Sequence, residues 1–391
     1  MALADRAARL AFSCVVDGGD LAITEAVDRV GAPAAWAQLV DGGFGAPLAQ
    51  RAAALDSDLM ARRATIAAAR FVVPDDDEWP EAVGDLRHCP AVQRRGGVPF
   101  GLWLRGPAQL SELANQSVAI VGSRAATSYG TGAATDLAAE LAERGVTVVS
   151  GGAYGIDAAA HRGALAVGGP TLCVVANGVD MAYPPGNARL FDALAKDHLL
   201  VSELPPGAHP TRMRFLARNR LIAALSRGTV VVEAALRSGA RNTASWTVEC
   251  SRHLMAVPGS IHSTMSAAPH LMIRNGQATL VTSAAEVLEL ISEFGQHTLT
   301  VPHGASRPTD ELDGARLAVF EAVPARRRAS VGAIAMTAGV SVPECLGHLG
   351  ALEVAGLVHG TAVGWRALVP RPTQSQFIEG GSLTSSSPET V

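Results

Sequence analysis

Short apolar runs alternate with longer amphipathic stretches between residues 99 and 290. The runs are rich in valine, isoleucine and leucine, and they predict strands at 102–105, 118–121, 146–149, 171–175, 199–202, 229–233, 254–257 and 279–282. Helical spacing between them predicts helices at 129–144, 157–167, 187–196, 215–226 and 243–252. Because strands and helices alternate, we expect an α/β fold in which a parallel sheet carries helices on both faces.

The two flanks of this region have different patterns. Residues 1–75 have helical spacing at 21–30, 34–39 and 46–69 and predict a small helical domain of the SAM or helix-hairpin-helix kind, ending at a polar break at 74–80. Residues 310–370 predict three helices (312–323, 331–338 and 342–355) and a hairpin (356–368), which is the plan of a winged-helix domain. We therefore expect a Rossmann-like core at 76–295, a linker at 296–309 and a Ser/Thr/Pro-rich disordered tail at 371–391.

Composition narrows the class of protein. Hydrophobic residues make up 48% of the chain but aromatic residues only 4%, so the core must be built from alanine, valine and leucine. The longest apolar runs have the length of strands, and no transmembrane helix is predicted. The five cysteines are scattered without a CxxC pair, and the N-terminus lacks a signal-peptide layout. These features predict a cytoplasmic protein with no metal site and no cofactor.

The charge distribution is more informative than the net charge of −4. Eight arginines and two glutamates lie between residues 209 and 252, which predicts a local positive field on an otherwise acidic protein. Lys196 is the only lysine in the sequence, so arginine is this chain's general cation and a single arginine is no evidence of phosphate binding.

Glycine-containing loops follow several of the predicted strands. Gly122-Ser123-Arg124 follows the strand at 118–121, and three glycines at 151, 152 and 155 follow the strand at 146–149. A strand that ends at glycine before a helix exposes backbone N–H groups at a positive helix end, which suits a phosphate. The repetition at one sheet edge predicts several phosphates, as on a nucleotide or a nucleic-acid backbone.

The residues around the second loop allow two interpretations each. Asp157 is a candidate helix N-cap as well as a site residue, and His161 either contacts phosphate or packs in the core. Tyr154 either stacks on a base or packs against the protein. Further along, Asn187 is either a helix cap or a ligand contact, with the cap favoured.

Two further segments carry candidate anion-binding side chains. Arg218, Asn219 and Arg220 are expected in the first turns of the helix at 215–226, where anion contact is favoured over a solvated helix face. Ser238, Gly239, Arg241 and Thr243 precede or begin the next helix, again near bare N–H groups.

The sequence contains no Walker lysine, no GxSxG elbow and no HExxH, and the glycines at 151, 152 and 155 do not form GxGxxG. We therefore expect a protein that acts by binding and not by catalysis.

Taken together, these motifs resemble the DprA/Smf family (DNA-processing protein A). The matching stretches, in their order and spacing, are 118–124, 150–163, 178–190, 202–205, 215–226, 233–244 with Glu249 and Arg252, and 256–259. The resemblance implies a cytoplasmic single-stranded DNA-binding protein that protects incoming DNA during natural transformation, loads the recombinase RecA, and dimerises through its Rossmann-like domain without enzymatic activity. It implies that Arg124 grips the phosphate backbone and that Ser123, Gly151, Gly152, Asn219 and Arg220 line the same groove. Pro185 stands where relatives often carry a lysine, and Arg241 stands where they often carry an apolar residue.

The predicted DNA-binding set combines this resemblance with the loop patterns. It comprises Gly122, Ser123, Arg124, Gly151, Gly152, Tyr154, Gly155, Asp157, His161, Asn187, Arg218, Asn219, Arg220, Ser238, Gly239, Arg241 and Thr243.

Two other functions fit the sequence less well. A nucleoside 5′-monophosphate phosphoribohydrolase of the lonely-guy type carries Pro-Gly-Gly-x-Gly-Thr-x-x-Glu, but aligned on Thr243 this chain has Trp246 at the glutamate position. A duplex reader would use the helix at 342–355, which carries Glu344, His348 and Glu353 but no arginine or lysine. We therefore expect that domain to contact protein.

Overall fold

The structure is a computed structural model, and it describes residues 2–292, Thr309, Leu312 and 314–368. The chain divides into two compact units, 1–299 and 300–391. The predicted linker at 296–309, apart from Thr309, and the predicted tail at 371–391 lie outside the described residues.

Five short helices begin the first unit. They are α1 (Ala2–Val15), α2 (Leu21–Val30), α3 (Ala32–Val40), α4 (Ala46–Ala53) and α5 (Ser57–Ile66). Their apolar faces bury a small core of their own around Phe12, Ile23 and Leu39. The carboxylates of Asp20 and Asp56 cap α2 and α5, which explains where these two helices begin.

A nine-stranded sheet forms the centre of the same unit, in the order β1-β2-β6-β5-β4-β3-β7-β8-β9. The strands are β1 (Ala69–Val72), β2 (Leu102–Arg105), β3 (Ser117–Val121), β4 (Thr147–Ser150), β5 (Thr171–Val174), β6 (Leu199–Ser202), β7 (Gly228–Val231), β8 (His253–Ala256) and β9 (Thr279–Leu280). The seven neighbouring strands β6-β5-β4-β3-β7-β8-β9 are all parallel. At the other end of the sheet, β2 pairs antiparallel with β6, and β1 pairs antiparallel with β2. The expectation of a parallel sheet is therefore wrong at this edge, and β1 lies within a region predicted as helical.

Helices cover both faces of the sheet. They are α6 (Leu110–Asn115), α7 (Ser128–Glu143), α8 (Ile156–Ala166), α9 (Ala188–Asp197), α10 (Arg212–Ala224), α11 (Ala240–Glu249), α12 (Ala267–Arg274) and α13 (Ala284–Ile291). Side chains of β3 alternate between the two faces: Val118 and Ile120 join the core under α7 and α8, and Ala119 and Val121 join the core under α10 and α11. These two cores fix the strand ends from which the site loops emerge.

The second unit contains α14 (Gly314–Ala322), α15 (Val331–Ala338), α16 (Val342–Val354) and an antiparallel hairpin of β10 (Val358–Thr361) and β11 (Gly364–Ala367). These are the three helices and the hairpin that the sequence pattern predicted, and they enclose a core around Val319, Ile334 and Leu349.

Among the described residues, no helix is long and apolar enough to cross a bilayer. In the same part of the chain no group of three or more histidine, cysteine, aspartate or glutamate side chains is placed to hold a metal ion.

Candidate nucleic-acid interface

A cleft of about 950 Å³ lies at the carboxyl edge of the sheet. Chain order reverses there, because β3 continues to β4 on one side while its other neighbour is β7. Loops leaving β3 and β7 therefore diverge and leave a crevice, which is the usual ligand position in open α/β sheets. The walls are completed by the β4–α8 loop, α10 and the start of α11.

Ten of the predicted residues line this cleft: Gly122, Ser123, Arg124, Asp157, Arg218, Asn219, Ser238, Gly239, Arg241 and Thr243. The lining also includes Arg212, Phe215, Arg237 and Asn242, which were not in the predicted set. Five arginines and one aspartate are thus gathered around a single cavity. Such a concentration of positive charge attracts a polyanion even though the whole chain is negative.

Arg124 is one of four exposed arginines in the cleft lining, the others being Arg212, Arg237 and Arg241. Its guanidinium carbon lies 4.9 Å from the centre of the Phe215 ring, and that of Arg218 lies 5.8 Å from the same ring. The ring of Tyr183 is also 5.8 Å from Phe215. Cation–π contact holds both arginines over an aromatic surface while leaving guanidinium N–H groups for phosphate oxygens.

Backbone and side-chain hydrogen bonds fix the loop that carries Arg124. Ser123 donates its N–H to the carbonyl of Glu233 at 2.6 Å, and its own carbonyl accepts from Ile156 at 3.2 Å. The buried Glu233 carboxylate accepts from the N–H and hydroxyl of Thr127 at 2.9 and 2.7 Å, at the start of α7. Three strand-end loops are thereby joined, so Arg124 projects from a preorganised support.

Glycine, which has no side chain, allows these loops to pack closely against one another. A Cβ at Gly122 would lie 2.7 Å from the carbonyl oxygen of Glu233, and one at Gly155 would lie 2.7 Å from that of Arg124. Gly155 also has φ of +74°, a conformation that favours glycine. Gly151 leaves room for the guanidinium of Arg218, which donates to the carbonyls of Gly151 (2.8 Å) and Val174. Of these three glycines, only Gly122 lines the cleft.

Arg218 and Asp157 form the buried charged part of the cleft. Burial raises the pKa of Asp157, while the positive charge of Arg218 opposes that rise. Asp157 accepts a hydrogen bond from the N–H of Ala153 at 3.4 Å and does not cap α8, whose N-cap is Gly155. Together the two side chains brace the β4–α8 loop against α10.

The floor of the cleft retains polar groups without partners. The amide nitrogen of Asn219 donates to the amide oxygen of Asn242 at 3.1 Å. The amide nitrogen of Asn242 and Nε of Arg218 are buried and have no hydrogen-bond partner among the described residues. Unpaired donors of this kind are costly, and because protein encloses both nitrogen atoms, a ligand in the cleft does not reach them in this conformation.

Two predicted contacts are wrong because their side chains are in the core. His161 has no exposed surface, and its Nδ1 lies 2.7 Å from the Thr171 hydroxyl. Arg220 is likewise fully buried, and its guanidinium pairs with Glu203 through two bonds of 2.6 and 2.8 Å. Neither side chain has surface to offer a strand.

Other predictions about the loops need correction. Asn187 is buried and makes no cap bond; its amide nitrogen donates to the carbonyls of Gly152 and Ala153 and holds that loop in place. Gly152 packs against Phe191, whose ring would lie 2.7 Å from a Cβ at the glycine. Tyr154 is exposed but lies outside the cleft lining, with its hydroxyl against Gly186, so stacking by Tyr154 stays a prediction.

Two of the predicted helix starts are also wrong. The helix α10 begins at Arg212, capped by Thr211, so Arg218 and Arg220 lie in its second and third turns. The helix α11 begins at Ala240, which places Thr243 within the helix. Sequence reasoning therefore missed Arg212, although the basic stretch before residue 215 was the available signal.

The arrangement offers no support for the phosphoribohydrolase alternative. Trp246 occupies the position of the catalytic glutamate, and its indole is fully buried in the core under α10 and α11.

Comparisons with known proteins identify the family. The sequence model of the family described as DNA recombination-mediator protein A matches residues 70–292. The chain is 46% identical over 318 residues to a putative DNA processing protein DprA of Mycobacterium tuberculosis, covering 81% of this chain and 80% of that protein. It is 39% identical over 302 residues to protein Smf of Escherichia coli, covering 76% of this chain and 75% of the relative.

A solved structure is also similar. The X-ray structure of DNA processing protein A from Streptococcus pneumoniae has a TM-score of 0.60 at 32% identity and covers 73% of this chain and 96% of its own. The names of the Mycobacterium tuberculosis and Streptococcus pneumoniae proteins refer to DNA processing, and that of the family to recombination mediation. With the family model spanning more than half of its length, the chain belongs to the DNA recombination-mediator protein A (DprA/Smf) family.

Proposed function

We propose that this protein binds single-stranded DNA in the arginine-lined cleft, protects the strand during natural transformation, and delivers it to the recombinase RecA. It does so by holding phosphates and bases without making or breaking a covalent bond. The observation that carries the proposal is the exposed Arg124 over Phe215, in a cleft lined by five arginines.

The pairing of arginine and aromatic surface favours a single strand over a duplex. Phosphates bind guanidinium groups in either form of DNA, but an aromatic ring gains contact area only when a base face is free to stack. Phe215 is half-buried beside Tyr183, so its exposed side faces the same cavity as the arginines.

The proposal is tested by fluorescence anisotropy with mixed-sequence single- and double-stranded oligonucleotides over a series of salt concentrations. We expect preference for the single strand and a negative salt slope of about 0.7 for each phosphate contacted. The variant Arg124→Ala should lower the magnitude of that slope by roughly 0.7 to 1 and weaken binding about tenfold at low salt.

Arg144→Ala is the matched control. Arg144 is also exposed, but it caps the carboxyl end of α7 and precedes β4, at the opposite edge of the sheet. Equal losses in the two variants would reduce the effect to net charge and contradict a site at Arg124. If no oligonucleotide binds, hydrolysis of AMP is the assay to run next.

Two partners complete the proposal, and both are supported by membership in the family. Delivery to RecA is measured as RecA-dependent ATP hydrolysis on strand that this protein has already covered, where we expect Arg124→Ala to lose the stimulation. A homodimer formed through the sheet unit is expected to give twice the mass of the 40.2 kDa chain in light scattering.

A further inference from the structure

A second cavity lies between the N-terminal helices and the loop that follows β6. It has a volume of about 380 Å³. The helical side supplies Arg51 from α4 and Met60 and Arg63 from α5, and the sheet side supplies residues 204–209, Thr211 and Arg214. Because β6 is one of the parallel strands, this cavity opens at the same carboxyl edge as the cleft.

Two of the arginines that line the cavity, Arg51 and Arg63, are available to a ligand. The cavity lining includes Arg51, Arg63, Arg214 and His209 but no carboxylate. Arg51 and Arg63 are exposed and form no ion pair or side-chain hydrogen bond with any described residue. Two unpaired guanidinium groups facing one cavity favour an anionic ligand.

Nearby carboxylates are already engaged. Asp17 accepts from Nε of Arg214 at 2.9 Å, and Asp180 accepts from the N–H of Gly207 at 2.9 and 3.0 Å. The guanidinium of Arg63 lies directly against Gly207, 2.9 Å from where a Cβ would be. Asp17 is therefore paired with Arg214 and Asp180 holds the loop through a backbone N–H, and neither carboxylate forms an ion pair with Arg51 or Arg63.

The first turn of α10 borders both cavities. Thr211 and Arg214 line the second cavity, while Arg212 and Phe215 line the cleft. A DNA strand that leaves the cleft past Arg212 therefore passes Arg214 and then reaches Arg51 and Arg63 on the N-terminal helices. Apolar surface is added there by Leu55, Met60 and Leu204, which suits the sugars and bases of a strand better than free phosphate.

We propose that this second cavity, the Arg51–Arg63 groove, binds the phosphate backbone of the same single strand beyond the cleft. The inference rests on the proposed function and gives the N-terminal helices a direct part in it. A strand long enough to span both cavities then gains contacts that a short oligonucleotide filling the cleft does not.

The test compares oligonucleotides of about 6 and about 20 nucleotides, which bracket the usual site sizes of single-strand binders. In the intact chain, Arg51→Ala/Arg63→Ala should weaken binding of the longer strand about tenfold and lower the magnitude of its salt slope by about 1.4. Binding of the shorter strand should be unchanged, while Arg124→Ala should weaken both.

Arg29→Ala/Arg62→Ala is the matched control, since it removes the same charge from exposed positions of α2 and α5 that lie outside the groove. Arg51→Lys/Arg63→Lys should restore most of the slope, because the charge is kept. If the alanine pair binds the longer strand like the wild type, or loses no more than the control, the groove is overturned while the cleft stands. If both lengths weaken equally, the groove is not an extension of the cleft. Failure of the wild type to bind either length would instead refute the proposed function.

Discussion

Arg218 and Arg220 are two residues apart in the sequence and have opposite roles. Successive helical positions turn by about 100°, so residues at i and i+2 project to different sides. Arg218 is directed to the cleft and to the carbonyls of Gly151 and Val174, whereas Arg220 is directed to Glu203 and the carbonyl of Gly97. The sequence offers two equivalent arginines beside Asn219, and only packing decides which of them serves the site.

This difference predicts that Arg220→Met affects folding and not the DNA site. Removing one partner of a buried ion pair leaves an uncompensated carboxylate and costs about 3–5 kcal/mol of unfolding free energy. Urea unfolding should show this loss, and the double variant Arg220→Met/Glu203→Leu should recover much of it. The salt slope of strand binding by folded Arg220→Met should match the wild type. A lower slope with unchanged stability would return Arg220 to the DNA-binding set.

His161 gives a pH dependence with a defined sign. The Thr171 hydroxyl donates to the carbonyl of Val148, so His161 Nδ1 donates to that hydroxyl and Nε2 is left bare in the core. Burial, with the nearby charges of His198 and Arg218, lowers the pKa of His161 to about 3. In the unfolded state this imidazole therefore binds a proton below about pH 6.5. In the folded state it binds one only below about pH 3.

Stability contributed by the neutral imidazole is therefore complete above about pH 6.5 and is lost as the pH falls below it. Between about pH 7.5 and about pH 5 the unfolding free energy should fall by about 2 kcal/mol from this group. Urea unfolding of wild type and His161→Asn over that range isolates it, because asparagine keeps a donor for Thr171 but does not titrate. Parallel pH profiles for the two proteins would show that His161 is accessible to protons in the folded state.

At the scale of elements, the buried strands were predictable from the sequence and the edge strand β1 was not. Continuous runs such as 118–121 and 199–202 are buried on both faces, so their apolar character alone marks them. By contrast β1 has a mixed pattern, and its register with β2 runs from Ala69 opposite Arg105 to Val72 opposite Leu102. That pairing depends on partners far along the chain, and local pattern does not contain this information.

The loops at the cleft also depend on contacts between residues far apart in the sequence. Gly122 and Gly151 directly follow β3 and β4 at the carboxyl edge, as predicted, but of the two only Gly122 lines the cleft. The reason for each glycine was less accessible, since Gly151 makes room for an arginine that lies 67 residues later. For Phe215 the sequence predicts only a place on a helix, because its role depends on Arg124 approaching from another loop.

At the scale of the molecule, each of the two compact units carries exposed arginines of its own. The residues that line the cleft fall between Gln93 and Ser245, all within the unit 1–299. The unit 300–391 has its own exposed cations at Arg326 and Arg327, and its hairpin carries Arg366. None of these three cations is among the residues that line the cleft.

We expect that a chain ending at residue 299 binds single-stranded DNA within about twofold of the full-length affinity and with the same salt slope, because phosphate contacts set the slope and the cleft lies before the cut. Anisotropy with a strand of about 20 nucleotides measures both, given a site size within the usual range. Circular dichroism first establishes that the shortened chain is folded. The full-length variant Arg326→Ala/Arg327→Ala tests the same point without truncation and should also retain the slope. A slope reduced by about 1.4 in both proteins would mean that two phosphates are held by the second unit, and the strand path would then have to leave the sheet edge.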